Sequence, residues 1–298
     1  MPDVIEVEGL RKTYGATVAV DDVSLEVQQG EIFGLVGPNG AGKTTAVECL
    51  QGLRHPDAGL VRVLGADPRD PALRGRIGSQ LQSSALPDRI RVWEAIDLFA
   101  SFGARSRDWR QLLEEWGLAD RANAYFSALS GGQRQRLFIA LALVTAPEVV
   151  FLDEMTAGLD PSARRLAWHL VERVRDSGVT VVIVTHFMEE AEQLCDRIAV
   201  IDRGRVSALG SPQQLMAQYA PDIRVSFTIP AADLDWLRAT PDVASVAVNG
   251  HRVEVRGNNA LIVRVAAALA DHGLAPADFR VHQPTLEDVF LRITGAPE

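Results

Sequence analysis

The segment Gly37-Pro38-Asn39-Gly40-Ala41-Gly42-Lys43-Thr44 packs three glycines, one of the chain's two lysines and a hydroxyl into eight residues. Glycines at this spacing let successive backbone N–H groups wrap an anion, and a lysine directly after them adds a cation to the same cradle. This is the pattern of a phosphate-binding loop. Lys43 would reach the β- and γ-phosphates of a nucleoside triphosphate, and Thr44 would ligate Mg2+. The pattern has meaning only between a strand and a helix. The run Glu31–Val36 reads as the strand, and the stretch from Lys43 as the helix. On this reading Gly37, Asn39, Gly40, Gly42, Lys43, Thr44 and Thr45 form the nucleotide contact.

Two further groups could do chemistry. Asp153 and Glu154 end the apolar run Val149–Leu152, and carboxylates at the end of a buried strand are costly without ligands. Asp153 suits contact with Mg2+, directly behind it or through water. Glu154 suits a general base that takes a proton from an attacking water. Taken alone, the pair equally describes a solvated strand end or a helix cap. Leu129-Ser130-Gly131-Gly132-Gln133 combines an N-cap residue with two glycines that expose N–H groups at a helix start, which makes a second anion site. Five residues on their own describe a capped helix just as well.

The order of these motifs resembles that of the ABC ATPase family: phosphate loop, Leu-Ser-Gly-Gly-Gln, apolar strand ending Asp-Glu, then a lone His186 after the run Val181–Thr185. The resemblance covers residues 3 to about 220. It implies that Tyr14 stacks on adenine and that His186 contacts the γ-phosphate. It also implies that Ser130, Gly131, Gly132 and Gln133 bind the nucleotide held by a second subunit. Ala157-Gly158-Leu159-Asp160 resembles the loop that meets that subunit. A loop glutamine of the family senses Mg2+ and contacts a permease. Within Ile77-Gly78-Ser79-Gln80-Leu81-Gln82, Gln82 fits best, although Leu81 stands where the family usually has Pro, so Gln80 stays a candidate. Met155 likewise replaces a usual Pro. The resemblance therefore implies ATP and Mg2+ as ligands, Thr44, Gln82 and Asp153 around the metal, and Glu154, His186 and Gln82 as catalytic residues. It implies a head-to-tail homodimer or pseudo-dimer with ATP sandwiched between subunits, and a separate membrane permease.

These residues need rigid elements to hold them. Short apolar strands alternating with amphipathic helices predict an α/β core with a parallel sheet, and strand signals vanish between about 83 and 147, which predicts a helical insertion. Residues 1–220 are expected to form this nucleotide-binding domain. From 221 to 298 the order strand, helix, strand, Asn249-Gly250 turn, strand, helix, strand, helix predicts a small α+β, ferredoxin-like domain that serves regulation or dimerisation. Its end, Pro284–Gly295, resembles the end of drug-efflux ATPases of the daunorubicin-resistance type. The spacing of Leu286, Val289, Phe290 and Ile293 also fits a helix packing on its own sheet.

Composition bounds the rest. The net charge of −9 over 298 residues argues against a broad grip on nucleic acid. The longest apolar run, Leu137–Val144, falls far short of the ~20 residues that span a bilayer. The two cysteines, Cys49 and Cys195, sit in apolar contexts and read as reduced core thiols. The expectation is a subunit on the cytoplasmic face of the membrane, held there by its permease and driving export of a drug-like or lipid-like compound. A ribosome- or DNA-associated ABC ATPase is the alternative, disfavoured by the single set of motifs, the absence of heptads and the acidic balance. An unrelated P-loop kinase or GTPase would lack the Leu-Ser-Gly-Gly-Gln segment.

Overall fold

The computed structural model describes residues 2–80, 85–220, 222–229 and 234–295. The chain divides into two compact units, Met1–Pro212 and Gln213–Glu298.

In the first unit β1 (Asp3–Tyr14) and β2 (Thr17–Gln28) form a long antiparallel pair. Burial alternates along β2, with Val23, Leu25 and Val27 inside and their neighbours outside, as a half-buried strand requires. Next come β3 (Ile32–Val36), α1 (Lys43–Leu50) and β4 (Ala58–Val63). Strand β4 joins the first pair in the order β2-β1-β4. The second sheet takes β3 together with β5 (Ile77–Gln80), β6 (Val149–Asp153), β7 (Thr180–Thr185), β8 (Arg197–Asp202) and β9 (Arg205–Gly210). Its order is β5-β6-β7-β3-β8-β9. All pairings are parallel except β8 with β9. Every residue of β3, β6 and β7 is buried, the signature of strands covered on both faces. Continuous apolar runs were needed for that, and Val149–Leu152 and Val181–Val184 supply them.

The helices of this unit are α2 (Val92–Ala100), α3 (Trp109–Glu115), α4 (Gly131–Leu143), α5 (Pro161–Asp176) and α6 (Met188–Leu194). Among the described residues between 85 and 147 there is no strand, so this stretch is helical. Helix α4 inserts the apolar side chains Leu137, Ile139, Ala140 and Leu141 into the interior. It approaches β5 so closely that a Cβ on Gly78 would lie 2.0 Å from the Ala142 carbonyl oxygen. Among the described residues no helix is long and apolar enough to cross a membrane.

After α7 (Pro212–Tyr219), the second unit contains β10 (Ile223–Thr228), α8 (Asp235–Arg238), β11 (Val243–Asn249), β12 (Arg252–Gly257), α9 (Leu261–Asp271), β13 (Arg280–His282) and α10 (Leu286–Thr294). The strand order is β11-β12-β10-β13, antiparallel throughout. With a helix between β10 and β11 and another between β12 and β13, this is the ferredoxin-like arrangement. Ile223, Val225, Phe227, Val253 and Val255 meet Leu261, Val265 and Leu269 of α9 in a separate apolar core. Each of these buried side chains contributes roughly 1.5–3 kcal/mol. The hairpin turn falls one residue later than Asn249-Gly250 suggests. Asn249 still pairs with Arg252, so Gly250 and His251 form the loop. Gly250 supplies the positive φ, 65°, at its first position. The helix expected after the first strand of this unit is described from Asp235; residues 230–233 lie outside the described set.

Candidate functional site

Strand β3 ends against Gly37, and the chain turns through Gly42 into α1 without a side-chain cap. Gly42 has φ 102°, a region closed to most side chains. A Cβ there would meet the Ala19 carbonyl oxygen at 2.1 Å, and one on Gly37 would meet that of Ile201 at 2.2 Å. The loop is thus pressed against β2 and β8, and its first-turn N–H groups are left for an anion. Lys43 is 6 % exposed. Its Nζ donates to the carbonyls of Gly37 at 2.8 Å and Pro38 at 3.0 Å, which aims the ammonium back across the loop. Burial lowers its pKa, and the nearby Glu154 and Asp153 oppose that shift. Asn39, Gly40 and Thr44 are exposed and Thr45 is half-buried on the same loop and helix start.

The parallel register of β6 and β7 pairs Asp153 with Val184. The residues that follow each strand therefore emerge side by side. The Glu154 N–H donates to the Val184 carbonyl at 2.8 Å, and Glu154 holds φ 50°, a left-handed conformation that a non-glycine residue adopts at some cost. Glu154 Oε1 and His186 Nδ1 are 3.0 Å apart. Asp153 is buried, and its Oδ1 meets no hydrogen-bond partner. Burial, with the Glu154 charge beside it, raises its carboxyl to a pKa of about 6 against the pull of Lys43. A buried carboxylate oxygen with no donor is the group that a cation or its water ligand would satisfy. Gln80, 4 % exposed at the end of β5, donates from Nε2 to the Asp153 carbonyl at 3.2 Å. Gln82 and Leu81 lie outside the described residues. Met155 is fully buried, so in place of a Pro the chain anchors this turn with an apolar side chain.

The structure gathers Lys43, Asp153, Glu154 and His186 at the carboxyl ends of β3, β6 and β7, and Gln80 adjoins them from β5. The loop residues Gly37, Asn39, Gly40, Gly42, Thr44 and Thr45 accompany Lys43 there, and the Leu-Ser-Gly-Gly-Gln and Asp160 candidates lie elsewhere. Ser130, Gly131, Gly132, Gln133 and Asp160 line a cleft of about 440 Å³ with Arg136, Gly158 and Leu159. Ser130 caps α4 reciprocally with Gln133: the Gln133 N–H donates to Ser130 Oγ at 3.3 Å, and the Ser130 N–H donates to Gln133 Oε1 at 3.0 Å. A Cβ on Gly131 would meet nothing within 4 Å. Asp160 caps α5 by accepting from the N–H groups of Ala163 and Ser162, and these bonds lower its pKa. Tyr14, 41 % exposed, sits at the end of β1 within 6 Å of two cations, Lys12 and Arg54.

Sequence reasoning did not single out Glu190. It is fully buried on α6, four residues after His186, and accepts from Trp168 Nε1 at 3.3 Å; burial raises its pKa. Its place in an acidic helix start, Glu189-Glu190, gives no sign of burial.

Comparison with known proteins bears on this geometry. The profile of the "ABC transporter" family matches residues 20–157, and that of the "ATP-binding protein DrrA1-3-like, C-terminal domain" family matches residues 210–294. A Nod factor export ATP-binding protein I of Ralstonia nicotianae is 39% identical, with 98% of this chain and 94% of that one aligned. A daunorubicin resistance ATP-binding protein, DrrA3, of Streptomyces coeruleorubidus is also 39% identical, over 98% of this chain and 96% of that one. Among solved structures, an ATP-binding subunit of an ABC transporter superposes with a TM-score of 0.67 at 27% identity, covering 79% of this chain and 98% of that one. A dimeric ATP-binding cassette in a post-hydrolysis state, bound to ADP and Pi, superposes with a TM-score of 0.64 at 26% identity over 70% of this chain and 98% of that one.

Proposed function

Since this chain belongs to the ABC transporter family of ATP-binding proteins and is an ATPase of that family, we propose that it powers export through a separate membrane permease by closing and opening as a nucleotide-bridged homodimer. The observation that carries this reading is the Glu154–His186 pair, 3.0 Å apart, beside the buried Lys43.

In this reading the Gly37–Gly42 N–H groups and Lys43 hold the β- and γ-phosphates, with Asn39 and Thr45 on the loop's flanks. Thr44 and Asp153 would hold Mg2+, which would supply charge neutralisation to the phosphates. Glu154 takes the proton of the attacking water as the water oxygen bonds to the γ-phosphorus, and the bond from that phosphorus to the β–γ bridging oxygen breaks in line, releasing ADP and phosphate. His186 orients Glu154 and the γ-phosphate. Gln82, with Gln80 as the alternative, carries the metal's state towards the permease. Tyr14 stacks on adenine. Ser130 to Gln133, with Asp160 behind them, face the nucleotide of the second subunit. A two-fold axis makes the two sandwiches equivalent.

Two relatives of equal identity bear the names of drug resistance and of Nod factor export. These names support a drug-like or lipid-like cargo for this chain. The substrate would meet the permease, and residues 221–298 would serve assembly or regulation and stay outside the chemistry. A nucleic-acid-associated role has no support from a chain with a net charge of −9.

The test separates binding from hydrolysis. Lys43→Ala removes the cradle's side-chain cation and should weaken ATP binding about tenfold or more. Glu154→Gln keeps the shape and deletes the base. It should bind ATP as the parent does and lose about 10²-fold or more in phosphate release. Parent-like turnover by Glu154→Gln would assign the base elsewhere.

A further inference from the structure

The chain has two lysines, Lys12 and Lys43. The second lies in the phosphate loop, and the first belongs to a cluster around Tyr14. Strand β4 starts at Ala58, opposite Arg11 of β1, so the last three residues of β1 extend past the end of that ladder. Asp57, just before β4, fills the gap. Its own N–H donates to the Arg11 carbonyl at 2.8 Å. Its Oδ2 then accepts from the Thr13 N–H at 2.7 Å and from Thr13 Oγ1 at 2.7 Å, while Oδ1 accepts from Lys12 Nζ at 2.7 Å. A carboxylate thus continues the edge where backbone pairing stops, and it fixes the two residues before Tyr14. These donors, Lys12 first and Thr13 next, hold the Asp57 carboxyl far below the usual range, so it is ionised at neutral pH.

The Tyr14 ring is tied to the phosphate helix as well. The Arg54 guanidinium lies 5.6 Å from its centroid and the Lys12 ammonium 5.8 Å. Arg54 Nε in turn donates to Glu48 Oε2 at 2.8 Å, and Glu48 is on α1, the helix that begins with Lys43. One network therefore links the aromatic ring to the element that carries the phosphate cradle. None of Asp57, Arg54 or Glu48 has a motif of its own.

We propose that Asp57 is a positioning residue that sets the Tyr14 ring at a fixed distance from the phosphate loop and so governs how strongly the purine base contributes to nucleotide binding. This rests on the reading of Tyr14 as the adenine platform. Asp57 touches neither base nor phosphate. Its effect must pass through Thr13, Lys12 and Tyr14, and it must vanish for a ligand that has phosphates and no base.

The experiment uses the full chain and two ligands, ATP and inorganic triphosphate. Asp57→Ala should raise KM for ATP about three- to tenfold with kcat held within about twofold, since only binding of the base is lost. Inhibition by inorganic triphosphate should stay at the parent value. Asp57→Asn keeps an acceptor oxygen for Thr13 and should recover part of the loss. Tyr14→Ala should raise KM as well, and adding Asp57→Ala to it should cost nothing more. A parallel loss of triphosphate affinity in Asp57→Ala would mean a general disturbance of the fold and would overturn the proposal. So would an unchanged KM in Asp57→Ala while Tyr14→Ala raises it, or a double variant weaker than Tyr14→Ala alone. An unchanged KM in Tyr14→Ala would instead remove the platform reading, and this proposal with it.

Discussion

Asp153 is 4 % exposed, and its carboxyl titrates near pH 6 instead of the ordinary 3.8 because burial and Glu154 disfavour the charge. Below about pH 4 the folded and unfolded chains both hold this proton, and the group contributes nothing. Between about 4 and 6 the unfolded chain has released it and the folded chain has not, so stability falls as pH rises through that window. Above 6 the full cost is present, up to about 3 kcal/mol for two pH units and less where Lys43 loses a partner. Asp153→Asn should therefore stabilise the nucleotide- and magnesium-free chain by about 1–3 kcal/mol at pH 8 and by almost nothing at pH 4. Chemical unfolding at the two pH values checks this, and an equal gain at both would refute it. What the sequence made legible at this scale was which residues could carry charge to a phosphate, because Lys43, Asp153 and Glu154 stand in motifs. Their orientation was not legible. The left-handed turn of Glu154, which brings it 3.0 Å from His186, arises from a hydrogen bond to Val184 thirty residues away in the chain. Asp57 and Glu190 were invisible because an exposed turn and an acidic helix start look the same whether or not they hold something.

Elements place these groups through close backbone approach as much as through side chains. Gly78 lets β5 lie against the end of α4, and a Cβ would sit 2.0 Å from the Ala142 oxygen. Gly131, at the other end of α4, faces open space. Gly78→Ala should lower the unfolding free energy by about 1–3 kcal/mol, as overpacking does, and Gly131→Ala should melt no lower than the parent, since Ala is the better helix former. Thermal unfolding of the two variants decides it, and a destabilised Gly131→Ala with an unaffected Gly78→Ala would reverse the assignment. Elements were legible where hydrophobic pattern is unambiguous. Continuous apolar runs announced β3, β6 and β7. The hairpin loop was displaced by one residue because Asn249 keeps its pairing with Arg252 and leaves the positive φ to Gly250. Contacts such as Gly78 against Ala142 cannot be read from pattern, since a glycine within an apolar stretch looks the same whether it faces a helix or a void.

On the scale of the whole molecule the chain offers two groups of anion-facing backbone, at Lys43 and at Ser130, on different elements. The first has Asp153, Glu154 and His186 beside it, and the second has Asp160 in its lining. The second pairs a capped helix start with the turn at Gly158–Asp160 around a cleft of about 440 Å³. In the proposed reading, a triphosphate in the Lys43 cradle of one copy would be covered by the Ser130 cleft of another, and a closed two-fold assembly would use both. That reading comes from the order of motifs; composition and periodicity carry no sign of it. The second unit has a separate core, built on Val225, Phe227 and Val255. The most direct test is the mass of Glu154→Gln in solution, by light scattering, with and without magnesium and ATP. The mass should be that of the 32.4 kDa chain without nucleotide and about twice that with it, and Ser130→Arg, which fills the cleft with a cation and a longer side chain, should restore the single-chain mass in ATP. A mass that ignores ATP, or a nucleotide-dependent dimer that survives Ser130→Arg, would contradict the sandwich.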